Sequence, residues 1–316
     1  MVFPATFAAA EDIGCSGEEF ITACVVGYEV SDRVGQFLGK KHYHDFHTTA
    51  TAGTFGAAAA VSRILKLPLQ QTLWAFGSAG TQAAGLWEFL SDASHSKQLH
   101  TAKANFNGLL SAYTAQEGFT GTLDVLGGKR GLAAIMCEDI YPSALDEDLG
   151  TRWTVMETSF KWHASCRHTH PSVDGLLSIM KENKLTIDDI QYVKCGVYKA
   201  TIDVLSLGGV ETVHQSKFSM GFVLAVAAKY GRAGINDFTE ERLHDSDLLQ
   251  FKDRVEMVLD DDIEAVFPKE WKALVTVTTT NGKVFVKKVD TPKGDPGNTL
   301  TRFVLLKLRV DEIGTR

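Results

Sequence analysis

Asp45 to Leu65 reads DFHTTATAGTFGAAAAVSRIL, and its second part decides the fold. From Thr49 to Leu65, alanine, glycine and threonine occupy every face of a helical projection, with Phe55, Val61 and Ile64 among them. A helix of small residues lets its neighbours approach closely, so this stretch predicts a central helix buried within a helical layer.

The flanking segments agree. On the N-terminal side, Gly17-Glu18-Glu19-Phe20 opens a run with Phe20, Ala23, Cys24, Gly27 and Tyr28 at helical spacing. Ser16 is placed to cap it, with Glu19 three residues on completing a capping box. On the C-terminal side, Leu69 to Ala84 presents Leu73, Ala75, Phe76 and Ala79 on one face, and a fourth helix runs from about Lys103 to Glu117 and stops at Gly118. Gly127-Gly128 breaks the pattern.

From about Trp153 the texture is mixed. Asp189 to Val197, DIQYVKCGV, alternates as a strand, and Tyr198 to Leu205 is expected to continue it. Leu274 to Val289 predicts a hairpin, because Asn281-Gly282 separates two β-rich runs. Helices are expected at Ser172–Glu182, Ser219–Tyr230 and Asp245–Met257. A run of helices followed by a mixed segment gives a mainly α chain, with a large all-α domain over 1–153 and a smaller α+β domain over 154–292.

Composition narrows the function. The 316 residues are 44% hydrophobic and 22% charged, with a formal net charge of -7. A mildly acidic chain without a basic run suits neither nucleic acid nor a membrane surface. Apart from the Ala/Gly-rich helical segments, no apolar run is long enough to span a bilayer. The start, MVFPATFAAAED, lacks a basic region and is not read as a signal peptide. Five widely spaced cysteines without a CxxC pair point to reduced thiols and a cytoplasmic protein, a mitochondrial address remaining open.

Three places carry chemistry. His42-Tyr43-His44-Asp45-Phe46-His47 sets three imidazoles before the Ala/Gly helix, whose N-terminus favours anions. They suit a proton-transferring group. The spacing matches no standard zinc signature, and a solvated loop is the simpler reading of any single histidine. Ser96-Lys97-Gln98-Leu99-His100 puts a cation and an imidazole before the fourth helix, where an ordinary surface loop is the plain alternative. The densest stretch is Phe160-Lys161-Trp162-His163-Ala164-Ser165-Cys166-Arg167-His168-Thr169-His170-Pro171. Two fixed cations beside titratable imidazoles suit a polycarboxylate that gains or loses a proton. A metal held by Cys166, His168 and His170, or Cys166 as a nucleophile, are alternatives without a supporting motif.

Four motifs occur in the order found in one known family. Asp45-Phe46-His47 with its Ala/Gly helix resembles the signature of the MmgE/PrpD family. Lys97-Gln98-Leu99-His100-Thr101-Ala102-Lys103-Ala104, followed by Glu117-Gly118-Phe119-Thr120-Gly121, resembles its second motif. Phe160-Lys161 through His170-Pro171 is similar to its lid entry, and Ser216-Lys217-Phe218-Ser219-Met220 to its next landmark. The resemblance implies a large helical domain and a smaller α+β lid with the site in the cleft between them, homodimers, and no metal or organic cofactor. It implies dehydration, decarboxylation or epimerisation of a di- or tricarboxylate by proton transfer beside a carboxylate. His47 matches the family's active-site histidine, and Lys97 and Lys161 match lysines that hold substrate carboxylates, each charge-assisted bond worth about 1.5–3 kcal/mol. His100 joins the substrate-binding set. Arg167 and His168 fall where subfamilies differ, which gives them a part in substrate choice and His168 a further catalytic role.

The chain departs from the family pattern at both ends. Before Met1 the family carries a helical segment with an aspartate and a histidine of the active site, for which His42 or His44 is a candidate substitute. At the other end, Gly294-Asp295-Pro296-Gly297-Asn298-Thr299-Leu300-Thr301 looks like the family and 302–316 does not, so 293–316 is expected to be a divergent remnant of the helical domain. Two expectations follow: a working lyase or epimerase, or an inactive shortened relative that binds a carboxylate or pairs with a full-length partner.

Overall fold

The computed structural model describes residues 1–91, 94–206 and 209–301, so the tail expected to diverge lies mostly outside the described residues. The chain is mainly α with one small sheet, and it packs as two compact units, Met1–Glu157 and a second beginning at Thr158.

The first unit carries α1 (Phe3–Ile13), α2 (Gly17–Asp45), α3 (Thr48–Ile64), α4 (Leu69–Gly80), α5 (Ser96–Gln116) and the short α6 (Leu132–Met136). The predicted capping box at the start of α2 is present. Glu19 N–H donates to Ser16 Oγ, and the Glu19 carboxylate accepts the Ser16 N–H at 3.0 Å. Helix α3 is buried along nearly its whole length between α2 and α5. A Cβ on Gly56 would lie 2.6 Å from the Gly27 carbonyl oxygen of α2, and one on Gly108 of α5 would lie 2.5 Å from Ala57 Cβ. The small residues thus set the interhelical spacing, as their distribution predicts. Helix α4 ends at Gly80, four residues before the expected Ala84.

At Gly39, φ 82° kinks α2 against the Asp139 carbonyl. The Asp139 carboxylate then accepts the Lys40 and Lys41 N–H groups, restarting the helix beyond the kink. The buried pair Arg33–Glu29, at 2.7 Å, holds the end of the unit to α2. Arg33 donates to the carbonyls of Ala144, Glu147 and Arg152, and Glu29 accepts from the N–H and hydroxyl of Thr154. Both charges are fully hydrogen-bonded, the condition under which a buried ion pair is tolerated.

The second unit contains α7 (His170–Asn183), β1 (Ile190–Val197), α8 (Lys199–Leu205), α9 (Val213–Ser216), α10 (Met220–Tyr230), α11 (Glu240–Leu243), α12 (Ser246–Lys252), β2 (Val255–Leu259), α13 (Asp261–Glu264), β3 (Ala273–Thr279) and β4 (Val284–Val289). Strand order is β2-β1-β3-β4, with β2 parallel to β1 and the other pairs antiparallel. Val193, Cys195, Val275 and Val277 face a core completed by Leu176 and Ile179 of α7 and Phe222 and Leu224 of α10. The hairpin turns at Asn281-Gly282, where Gly282 takes φ 81°.

Two expected elements are corrected. Tyr198 to Leu205 does not prolong β1: Tyr198 caps α8 with extended backbone, and Thr201 and Leu205 are then buried at helical rather than alternating spacing. The helix expected over Asp245–Met257 ends at Lys252, and Val255–Leu259 leaves it as β2, pairing Val193 with Val255.

Candidate functional site

His47 stands at the entry to α3. Phe46 forms an isolated bridge with Leu86, the His47 N–H donates to the Gly85 carbonyl at 3.1 Å, and its own carbonyl accepts the Ala50 N–H at 2.8 Å. Gly85 permits this crossing, since a Cβ there would lie 2.5 Å from Ala50 Cβ.

The His47 ring is buried against aromatic surface, with its centroid 4.6 Å from Trp87 and 5.8 Å from Phe89. Its Nδ1 lies 2.9 Å from Nδ1 of His100. Burial, then the positive charge of Lys97, then His100, hold the His47 pKa down to about 4. The positive end of α3 acts in the same direction. Burial also lowers the His100 pKa. At neutral pH both rings are therefore uncharged, and one donates to the other across the short contact. Such a pair takes a proton at one ring and passes one on from the other, once a bound anion offsets the charge. Lys97 lies three residues before His100 on α5, with Nζ 5.7 Å from the Phe89 centroid.

The other histidines of the first motif go elsewhere. The solvated-loop reading fails for His42, which lies in the last turn of α2 and is fully buried. Its Nε2 meets Thr51 Oγ1 at 2.8 Å and its Nδ1 the Met136 carbonyl at 3.3 Å. His44 is exposed on Asp45, at 2.6 Å. The three imidazoles do not converge, and neither His42 nor His44 reaches the His47–His100 pair by a hydrogen bond. The loop expected at Ser96–His100 is instead the opening of α5, which puts Lys97 and His100 on one helical face. Among the described residues no three His, Cys, Asp or Glu side chains come together as a metal site, and all five cysteines are free thiols.

In the second unit the dense stretch precedes α7. Lys161 is exposed and its ammonium donates to the Ser165 carbonyl at 3.2 Å. His163 is buried with Nε2 2.9 Å from Asp174 Oδ1, and the other Asp174 oxygen accepts the Lys293 N–H at 2.6 Å. Next to it, His170 is pushed down to about 3 by burial, then by His163 and Lys161. Arg167 is already engaged: its Nη2 donates to both oxygens of Asp295, at 2.9 and 2.8 Å, and its Cζ lies 4.1 Å from the Trp271 ring centroid. His168 Nδ1 lies 2.7 Å from the Tyr198 hydroxyl oxygen.

Trp87, Phe89, Tyr198, Trp271 and Asp295 were not singled out from sequence. Asp295 had a signal, because it belongs to the Gly-Asp-Pro-Gly motif already noted. The aromatic residues had none, since each is identified only by the histidine it meets in space. An open cavity of about 430 Å³ in the first unit is lined by Gly80, Val125, Gly128, Lys129, Arg130 and Ile135 among others. It shares no residue with the His47–His100 pair.

Comparison with known proteins adds to this geometry. Residues 1–143 match the MmgE/PrpD N-terminal domain and residues 163–307 the MmgE/PrpD C-terminal domain. The chain is 25% identical over 287 residues to the human cis-aconitate decarboxylase, covering 87% of this chain and 58% of that protein. It is 24% identical over 314 residues to a cis-aconitate decarboxylase of Aspergillus terreus, covering 90% and 58%. It is 27% identical over 212 residues to a cis-aconitate decarboxylase-like protein of Aspergillus oryzae, covering 61% and 44%. The chain thus spans about half the length of the curated relatives it matches.

Proposed function

Because the chain belongs to the MmgE/PrpD family, we propose that it is a cofactor-independent lyase of di- or tricarboxylic acids, of the decarboxylase or dehydratase type. The observation that carries this reading is the buried His47–His100 pair, two neutral imidazoles at 2.9 Å beside Lys97. A polycarboxylate would bring negative charge to these imidazoles and to Lys97. Bound next to His47, a carboxylate raises the ring's proton affinity and makes it competent for transfer. Lys97 and Lys161 are the cations proposed to hold carboxylates, and the support for them is their fixed charge and their match to the family's lysines.

The cis-aconitate decarboxylases among the relatives make cis-aconitate the first acid to test. In that reaction the bond to one carboxylate breaks, its electron pair shifts through the alkene, a proton is added at carbon, and carbon dioxide leaves. Dehydration of 2-methylcitrate and epimerisation of iminodisuccinate use the same proton transfer with a different leaving group or none. The test is proton NMR of the purified protein in D2O with each acid separately. Signals of a decarboxylated product, a new alkene, or deuterium beside a carboxylate identify the reaction. A folded protein that changes none of the three overturns the lyase reading and leaves the carboxylate-binding relative as the alternative.

A further inference from the structure

The stretch that carries Lys161 is fastened from outside itself. Phe160 to Cys166 belongs to no helix or strand, yet its main chain is pinned to distant segments of the second unit. The Phe160 N–H donates to the Gly294 carbonyl at 2.8 Å, the Ala164 N–H to the Ala233 carbonyl at 2.8 Å, and the Cys166 N–H to the Lys217 carbonyl at 2.9 Å. The strap at 291–298, just after β4, adds further fastenings. Lys293 Nζ lies 3.7 Å from the Trp162 ring centroid, and Asp295 takes the Arg167 guanidinium. Gly294, at φ 102°, passes so close that a Cβ there would run into the Phe160 carbonyl oxygen. The strap is closed on itself, since the Gly294 N–H donates to the Asn298 carbonyl at 2.9 Å and the Asn298 amide to the Thr291 carbonyl at 3.1 Å. Asp174, on α7, joins the two sides. One oxygen meets Nε2 of the buried His163 at 2.9 Å, and the other accepts the Lys293 N–H at 2.6 Å.

We propose that Asp174, together with the strap at 291–298, positions Lys161 by locking the main chain on which it stands. The inference rests on the carboxylate-lyase reading above, in which Lys161 holds a substrate carboxylate, and names what supports that cation. A carboxylate accepts and does not donate, so Asp174 can hold two donors at once and tie both the stretch and the strap to one helix. A lysine ammonium rides on a flexible four-carbon stem, and where it can reach is set by where its Cα is held. Both neighbours of Lys161 are held by the strap, Phe160 through its N–H and Trp162 beneath the Lys293 ammonium. Lys161 itself is exposed between them. A segment ordered before the ligand arrives loses less freedom on binding, so this support acts on affinity rather than on the chemical step.

The experiment combines amide hydrogen exchange, followed by NMR, with kinetics on the full chain. In the native protein the amides of Phe160, Ala164, Cys166 and Lys293 should exchange about 100-fold or more slowly than in an unfolded chain. In Asp174→Ala the Phe160 and Lys293 amides should exchange roughly tenfold faster or more, while those of β1 and β3 keep their native rates. Asp174→Asn, which retains one acceptor, should fall between the two. On the acid that is turned over, Asp174→Ala should raise KM roughly tenfold with a smaller change in kcat. In a Lys161→Met background the same substitution should leave KM unchanged, because nothing remains to be positioned. Equal rises of KM in the two backgrounds overturn the proposal, since a merely structural role acts in both. Native Phe160 and Lys293 amides that exchange at the unfolded rate overturn it as well, even if no variant folds. If none of the acids is turned over while the exchange pattern is as expected, the lyase reading fails and the clamp on the Lys161 main chain stands.

Discussion

His47 and His168 each lie just before a helix, yet the protein holds them in different ways. His47 is controlled by its surroundings: aromatic rings, a lysine and a second imidazole, with its nitrogen turned toward another titratable group. His168 meets a phenol and an indole, its Nδ1 2.7 Å from the Tyr198 hydroxyl and its ring stacked on Trp271. The first arrangement suits a proton that moves, because its two sites are chemically alike and lie 2.9 Å apart. The second joins chemically unlike groups, an imidazole and a phenol. The difference teaches that a histidine's neighbours say more about its task than its place in a motif.

The sharpest way to break this contrast is to replace each ring by an isosteric amide. His47→Gln should lower kcat by about 10²–10⁴-fold, the usual cost of losing a proton-transferring group. His168→Gln, at a position the family resemblance associates with substrate choice, should act mainly on KM. Steady-state kinetics on whichever acid the NMR assay identifies decides this, and equal losses of kcat in both variants would erase the distinction.

The cations come next. Lys97→Met and Lys161→Met should each raise KM roughly 10–100-fold, from the loss of one charge-assisted bond of about 1.5–3 kcal/mol. Arg167→Met should instead destabilise the fold, since it strips Asp295 of its partner. Kinetics and melting temperature measured on the same three variants separate the two classes. A large KM effect from Arg167→Met with an unchanged melting temperature would put that guanidinium back among the substrate cations.

Smaller effects appear in stability against pH. A histidine whose folded pKa is depressed contributes stability that is present above its unfolded value near 6.5 and lost as pH falls through the folded value. That value is about 4 for His47 and about 3 for His170. Denaturant midpoints should therefore fall on acidification from pH 6.5, and His47→Gln should flatten the decline between pH 6.5 and 5. Asp32 has the opposite sign. Burial, and then the charge of Glu29, raise its pKa to about 6, so its ionised form opposes folding at neutral pH. Asp32→Asn should add about 1–3 kcal/mol at pH 7.5 and little at pH 4. A variant that is no more stable at pH 7.5 would show that its carboxylate is well solvated. The smallest expected effect is none: millimolar EDTA should leave turnover unchanged, and a loss restored by added metal would reject the cofactor-independent reading.

Most of the helical framework was legible in sequence because its determinants are local. The Ser16–Glu19 capping box, the small-residue faces of α3 and the Asn281-Gly282 turn each lie within a few residues and declare their own geometry. The errors fell where local pattern is ambiguous. Tyr198–Leu205 alternates well enough to pass for a strand, and Val255–Met257 continues the apolar spacing of α12 before it pairs with β1. Lys97, His100, Lys161 and His168 could be nominated by type and by family resemblance. Their pairings could not, since His47 and His100 are separated by 53 residues and His168 and Tyr198 by 30. A hydrogen bond over that span is a property of the packed chain and leaves no period in the sequence.

The contact of Gly56 with Gly27 bears on how such a protein can diversify. With backbone against backbone, α2 and α3 have no slack, and even one added methyl would have to displace a main-chain oxygen. His47 is mounted on that unyielding pair. Larger core residues at the crossing could be admitted only by moving the two helices apart. Variation in this part of the chain is confined to side chains that point away from the contact, because the main chain itself is what meets.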